Sequence, residues 1–507
     1  MATGFESRSL KAGRILRIVI FLLAVLFIFT WAWKAFHLLQ VPHPAEYRDL
    51  ATIQLTQLFS RHVNPYSSAN NPPFFYLYGF LFSLVVSPLA RLAGSELVLL
   101  HKIVTLLCVL CASFLASLEV RRNTRSLLLQ TFCFALMLMT GWNNAPFIVR
   151  PDSFGLLLTL LIPFILRRND SYPAIALCAV LTIAAFYTKQ YFLFIAAPVF
   201  VYVLLKDWRK AAFFIAASSV LAAGSVFLVR AVFPGFFYAS LVAQANSVGG
   251  PIRHLLLQSL AFARRTWPLF LLMCYPLVKR GEESGLRIYY LVFATAAACL
   301  FFIGTNTGAW LSYYYQLALP SMSIIGLSML ARVQRGLYQA IFLLLIAAAS
   351  LFNVPKNFQF FPAPRKENKA TWERAYALLD RHKSPQMLLS PVFADYTCRN
   401  SLEPVDNGNT EYYENLRISK NTLTMRILGV LLPDIAAQFG RYAAWRAMLS
   451  RNVQEQEYSI IAVTKNYHPL VDQDDLEKFY RRIDEANLQL AGEKSWPIEF
   501  WIPNPDR

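Results

Sequence analysis

The run Ile18-Val-Ile-Phe-Leu-Leu-Ala-Val-Leu-Phe-Ile-Phe-Thr-Trp-Ala-Trp33 decides the fold class. It holds no charge, and it is close to the roughly 17–25 residues that a helix needs to cross a bilayer. Lys11, Arg14 and Arg17 precede it, and Trp31, Trp33 and Lys34 close it as an interfacial belt does. A basic start before an apolar run also describes a signal peptide. No small-x-small cleavage site follows, so the segment reads as a retained first helix that enters from the cytoplasm. The pattern recurs in Ala211–Val229 and Gly336–Phe352, with charged and Pro/Gly-rich breaks between the runs.

Composition agrees. The chain has 507 residues, of which 56% are hydrophobic and 15% charged, with mean hydropathy +0.40. A soluble chain carries about 25% charged residues. The net charge of +18 belongs to the apolar part, because acids and bases cancel from Lys356 onward. Short basic loops between spans account for that excess without nucleic acid. Six of the seven cysteines lie in apolar segments and Cys398 lies in the tail. Cys108 and Cys111 are one turn apart with nothing near them to complete a metal site, so the six read as buried apolar thiols, with no disulfide framework.

Basic clusters mark one side of the membrane: Lys11/Arg14/Arg17, Arg121/Arg122/Arg125, Arg167/Arg168, Lys206/Arg209/Lys210, Lys279/Arg280/Arg287 and Arg332/Arg335. Between successive clusters lies enough apolar sequence for two crossings, except between Arg17 and Arg121, where there are three apolar stretches. The alternation closes if Phe74–Leu92, with Pro72, Pro73, Gly79 and Pro88, does not cross but lies in the outer face. About eleven spanning helices result, near 16–38, 97–119, 126–142, 153–167, 172–188, 191–205, 211–231, 267–278, 287–304, 314–330 and 336–353. The expected organisation is a polytopic α-helical membrane domain over 1–353, with a first outer loop 40–96 and further outer loops that include 232–266, followed by a small extracytoplasmic α/β domain over 354–507. In that domain Thr371–His382 and Asp474–Glu485 read as helices, and Gln386–Val392, Tyr458–Thr464 and Ile498–Ile502 as strands.

The polar residues of interest fall on the outer side, although they were not used to build the topology. Glu46 and Asp49 are three apart, on one face of a helix starting near Pro44. Two carboxylates there can hold a metal, or one can act as a base that the other orients, or both can simply favour a helix N-terminus. His43, Asn64-Pro65-Tyr66 and Pro72-Pro73 with aromatics suit a cleft wall or an interfacial belt. Arg150-Pro151-Asp152 opens a span, with Pro151 fitting a first turn and Arg150 suited to a phosphate. Lys189-Gln190 is an outside lysine between spans, a functional candidate with a lipid phosphate as its natural partner. Arg253, His254, Arg264 and Arg265 are outer-loop cations, and Tyr313-Tyr314-Tyr315-Gln316 could stack on and hydrogen-bond a sugar. There is no P-loop, dinucleotide glycine fingerprint, His-Glu-x-x-His or Gly-x-Ser-x-Gly.

In this order, the pieces resemble the type-C glycosyltransferase superfamily, in its protein O-mannosyltransferase and aminoarabinose-transferase-like branch, over roughly residues 15–330. The resemblance implies an enzyme that takes a sugar from a polyprenyl-phosphate donor on the non-cytoplasmic side and gives it to a protein, lipid or glycan acceptor. It implies a type-C fold, Glu46 as the base with Asp49 in support, Asp152 as a second acid, and a cell inner or plasma membrane location. Ala45-Glu46 stands where many members have Asp-Glu, and Asn71 where some have Lys. Arg150, Lys189 with Gln190, and Arg253 then become the candidates for the donor phosphate, and His43, Tyr66, Tyr313 and Gln316 those for the acceptor or sugar cleft. A divalent metal among Glu46, Asp49 and Asp152 is left open. The competing reading is a transporter or flippase of lipid-linked sugars, which predicts midplane charges and repeated halves.

Overall fold

The computed structural model describes residues 2–40, 49–67, 76, 78–93, 96–143, 151–237, 239–240, 252–278, 285–303, 311–333, 336–351, 366–382, 385–393, 396–397, 400, 435–465, 470–489 and 495–505. The helical part begins with α1 (Ala2–Leu39), α2 (Asp49–Ser60), α3 (Leu81–Ala93), α4 (Leu97–Thr124), α5 (Leu127–Asn143), α6 (Asp152–Leu166) and α7 (Tyr172–Thr188). A 3-10 segment (Gln190–Ile195) runs into α8 (Ala196–Leu204), and α9 (Trp208–Val232) follows. After them come α10 (Ile252–Val278), α11 (Arg287–Ile303), α12 (Leu311–Leu317), α13 (Leu319–Leu330) and α14 (Gly336–Leu351). Among the described residues, three helices combine the length and apolarity to cross a membrane, at Gly13–His37, Leu97–Thr124 and Trp208–Val232, and shorter apolar helices pack around them.

The basic turns meet at one end of this bundle. Arg167, after α6, pairs with Glu119 on α4, and its Nη2 donates to Asn123 Oδ1 at 2.9 Å. Its guanidinium lies over the Tyr289 ring of α11, 5.7 Å from the centroid. Asn123 Nδ2 donates to Ser328 Oγ of α13 at 3.1 Å. Asp170 accepts from Lys206 at 3.3 Å and Lys210 at 3.1 Å, which joins two more turns. A Cβ at Gly13 of α1 would stand 3.1 Å from the Leu337 nitrogen, at the start of α14. α3 and α4 each bury part of their surface against neighbours, whereas α13 is buried along its whole length, and backbone hydrogen bonding inside a helix leaves its interior amides satisfied in lipid.

Both ends of α3 stay at the opposite end. Phe80 packs on Tyr187 in the last turn of α7, with ring centroids 5.3 Å apart, and Ala90 clusters with Leu97 and Val98 in the first turn of α4. The 13 residues of α3 make about 20 Å of helix, against about 30 Å of bilayer core. Its Phe82, Val86 and Ala90 are buried, while Val85, Leu89 and Leu92 are exposed. The helix therefore lies along one end of the bundle with an apolar face outward.

Two sequence expectations need correction here. The outer loop 232–266 is helical from Ile252, so Arg253, His254, Arg264 and Arg265 sit on α10 and not in a loop. The reason is the apolar spacing of Leu255, Phe262 and Leu269, which buries one stripe of the longer helix. Of the six cysteines expected to be buried, Cys108, Cys133 and Cys178 are, while Cys274 and Cys299 are half-buried and Cys111 is exposed on α4.

The tail carries α15 (Lys366–Arg381), β1 (Gln386–Leu389), α16 (Ile435–Gln454), β2 (Ile460–Thr464), α17 (Gln473–Phe479), β3 (Tyr480–Gln489) and β4 (Ser495–Pro503). The strands form one sheet in the order β1-β2-β4-β3, with β1 and β2 parallel and the other pairs antiparallel. One face packs on Tyr442, Leu449 and Val453 of α16, the other on Trp372, Ala375 and Leu379 of α15. All five residues of β2 are buried, as expected of a strand covered on both sides. The expected helix over Asp474–Glu485 ends instead at Phe479, and Tyr480 starts a strand. Arg481, Arg482, Asp484 and Glu485 hide its alternation, and a register shift between Arg482 and Asp484 breaks it. Pairing along β4 overrides the local pattern.

Candidate functional site

At the end away from the basic turns, four elements converge on a buried lysine and a half-buried aspartate. Pro151 precedes α6, and Asp152 is the first residue of that helix, where the dipole favours an anion. Lys189 ends α7 in an extended conformation (φ −161°, ψ 127°). Its N–H bonds to Ala185 O, its own carbonyl accepts from Phe192 N, and the chain turns into the 3-10 segment. That break turns the side chain inward, and Lys189 is only 2% exposed. Its Nζ stands 2.7 Å from Asp152 Oδ1.

Tyrosines enclose the pair. Lys189 Nζ lies 4.3 Å from the Tyr78 ring centroid, 4.9 Å from Tyr313 and 5.1 Å from Tyr191. Ring faces attract an ammonium most strongly where water is excluded. The Tyr191 hydroxyl reaches Asp152 Oδ1 at 3.0 Å and Gln316 Oε1 at 2.6 Å. Gln190 Nε2 donates to Ser240 Oγ at 2.9 Å. Tyr313 and Gln316 share one face of α12 by their spacing of three. Tyr314 and Tyr315 tie that helix to α10, at 3.0 Å from Ser259 Oγ and 3.2 Å from Arg265 Nη1.

Two glycines allow the close approach. A Cβ at Gly79 would lie 1.8 Å from the Tyr187 carbonyl oxygen, and one at Gly155 would lie 2.1 Å from the Phe192 ring. The first brings the segment before α3 onto the last turn of α7, and the second brings α6 onto the 3-10 segment.

Of the residues expected from sequence, Asp152, Lys189, Tyr313 and Gln316 come together, with Gln190 beside them. Asp49 is the first residue of α2. His43, Glu46 and Arg150 lie outside the described residues. Tyr66 packs instead in a neighbouring aromatic cluster, 2% exposed, edge-on to Phe233 and Phe236. Arg253 is exposed in the first turn of α10. Sequence reading missed Tyr78, Tyr191 and Ser240. Tyr191 had a signal, two residues after a lysine between apolar runs. It also missed the buried Lys102 and His101 of α4. His101 stacks near Phe82, which in turn meets Phe154, two residues after Asp152. Among the described residues no group of three His, Cys, Asp or Glu side chains could hold a metal.

No protein-family model and no curated protein matches the chain by sequence. By structure it is similar to ArnT from Cupriavidus metallidurans. The apo crystal structure superposes with a TM-score of 0.55 at 14% identity, covering 94% of this chain and 97% of that one. The crystal structure of ArnT bound to undecaprenyl phosphate gives 0.53, with the same identity and coverage. With three helices long and apolar enough to cross a membrane among its described residues, this chain is an integral membrane protein. Little sequence is common to the two proteins, and what they share is a fold that extends along 94% of this chain.

Proposed function

We propose that this chain is a membrane glycosyltransferase that moves a sugar from a polyprenyl-phosphate donor to a glycan, lipid or protein acceptor on the extracytoplasmic face. One observation carries the reading. An ion pair of buried Lys189 with half-buried Asp152, in a tyrosine enclosure, lies at the end of the bundle opposite the basic turns. The fold around it is shared with ArnT, which has been crystallised with undecaprenyl phosphate.

In this reading α1, α4, α5, α6, α7, the 3-10 segment with α8, α9, α10, α11, α12 with α13, and α14 make eleven crossings. The N-terminus and basic turns are cytoplasmic, as the positive-inside rule asks. Residues 1–353 form the membrane domain, and 354–507 form an extracytoplasmic domain. The membrane is the cell inner or plasma membrane.

The reaction is a single displacement. Glu46, with Asp49 in support, takes the acceptor hydroxyl proton while that oxygen attacks the anomeric carbon. The bond to the phosphate oxygen breaks, and the polyprenyl phosphate leaves with the electron pair and inversion at carbon. Arg150, Lys189, Gln190 and Arg253 hold the phosphate charge, and Asp152 fixes Lys189. His43, Tyr313 and Gln316 frame the sugar and acceptor, and Tyr66 supports that cleft from its aromatic cluster. A divalent metal on Glu46, Asp49 and Asp152 stays open in this scheme.

Transfer is tested with protein in liposomes, radiolabelled polyprenyl-phosphate hexoses and pentoses, and a membrane acceptor fraction. Glu46→Gln should lower the rate roughly 10²–10⁴-fold, the usual share of a general base. Full activity of that variant, correctly inserted, sinks the base assignment. Donor movement across the bilayer without transfer by the wild type points to a transporter.

A further inference from the structure

The geometry points to Tyr191 as a positioning residue for the transferase: its hydroxyl links Gln316 to Asp152 and so sets the Asp152–Lys189 pair. The inference rests on the reading above. Tyr191 has one O–H and two acceptors in reach, Asp152 Oδ1 at 3.0 Å and Gln316 Oε1 at 2.6 Å. It can donate to only one of them at a time. If the Gln316 amide turns over, its Nε2–H donates to the phenol oxygen and the phenol proton goes to Asp152. A chain then runs from Gln316 through Tyr191 to Asp152, which also accepts from Lys189 at 2.7 Å. In the other arrangement Tyr191 donates to Gln316, and Lys189 holds that carboxylate oxygen without it.

The amide of Gln316 is therefore a two-position element. Which position it takes decides how many hydrogen bonds Asp152 accepts. The wiring also spans the fold. Gln316 is on α12, Tyr191 on the 3-10 segment, Asp152 on α6 and Lys189 at the end of α7. A sugar hydroxyl that engages the Gln316 carbonyl turns the amide so that Tyr191 donates to Asp152. Recognition of the sugar thereby reaches the pair through Tyr191, without the sugar touching it. The ring of Tyr191 is fixed separately, against Phe192 at 4.5 Å and Tyr313 at 5.0 Å between centroids. Removing the hydroxyl therefore leaves the packing in place.

The test is steady-state transfer by the full chain in liposomes with a polyprenyl-phosphate sugar that the wild type uses. The variants are Tyr191→Phe, Gln316→Leu, the double variant, and Asp152→Asn as a control. Tyr191→Phe should keep the wild-type unfolding temperature and donor KM and lose roughly 10- to 100-fold in kcat, the share of a hydrogen bond to a charged group. Adding Gln316→Leu to Tyr191→Phe should change kcat less than twofold while it raises the donor KM, since Gln316 reaches the pair through that hydroxyl and touches the sugar itself. A Tyr191→Phe protein with wild-type kcat overturns the inference, and so do kcat losses that multiply in the double variant. If Tyr191→Phe lowers the unfolding temperature, Gln316→Asn decides, with a kcat loss that Tyr191→Phe does not deepen, at unchanged unfolding temperature, in support and unchanged kcat against. Should the wild type transfer and Asp152→Asn lose activity while Tyr191→Phe does not, this inference alone falls. Should the wild type transfer no sugar from any donor, the transferase reading falls and takes this one with it.

Discussion

Lys189 and Asp152 show how a buried charge is held and what it costs to disturb. Removing one partner of a buried pair leaves the other uncompensated, a loss of about 3–5 kcal/mol, whereas replacing both can be nearly neutral. Lys189→Met and Asp152→Asn should each lower the unfolding temperature in detergent. The double variant should recover most of that stability and stay inactive in transfer. Recovery of activity along with stability would make the pair a packing device only. Lys189 was visible in the sequence because a lone outside lysine stands out between apolar runs. Its partner was visible only as one acid after a proline, and nothing in the spacing of 152 and 189 says that they touch. Tyr66 shows the converse. Its Asn-Pro-Tyr setting looked like a cleft wall, and the third dimension gave it Phe233 and Phe236 as neighbours.

At the scale of elements, apolar period and length were enough for the helices. α6 and α7 begin and end within a residue of where sequence places them, because a proline opens each and a basic turn or a lone lysine closes it. α10 was cut short because its arginines read as loop, although a helix near an interface carries them by turning their stems along its surface. β3 was read as a helix because its charges fall at helical spacing, and only β4 beside it makes a strand. The tail sheet gives a pH prediction. Burial first, and then the bond to Asp380, pushes the Tyr396 phenol up to about 12 from 10.0. Burial does the same to Tyr480, also to about 12, and its hydroxyl donates to Tyr458 O at 3.2 Å. The folded domain keeps these protons longer than the unfolded chain. Their contribution to stability is complete below pH 10 and is lost as pH rises toward 12. Hydrogen exchange in the full chain should show tail peptides losing protection across that window. Protection that is flat to pH 12 would show that the two phenols ionise without cost.

In the whole molecule, the tail and the site share residues. Tyr78 faces Lys189 and also packs on the tail cluster of Tyr442, Leu449 and Val453. Ala239, wholly buried in that same cluster, precedes Ser240, which accepts from Gln190. Tyr442→Ala, worth about 3–5 kcal/mol as a large-to-small core change, should lower the temperature at which the tail unfolds and the temperature at which transfer is lost, by the same amount. Activity that outlasts the tail would make the tail an accessory. Hydropathy, the basic turns and the interfacial tryptophans fixed the class, because a bilayer imposes length and helicity on every segment separately, and such local constraints are legible along one chain. The ends of α3, the meeting of Asp152 with Lys189, the place of Tyr191 and the packing of Tyr78 on the tail cluster were decided by tertiary structure. They depend on which helix faces pack together, and that is a property of pairs of segments far apart in sequence.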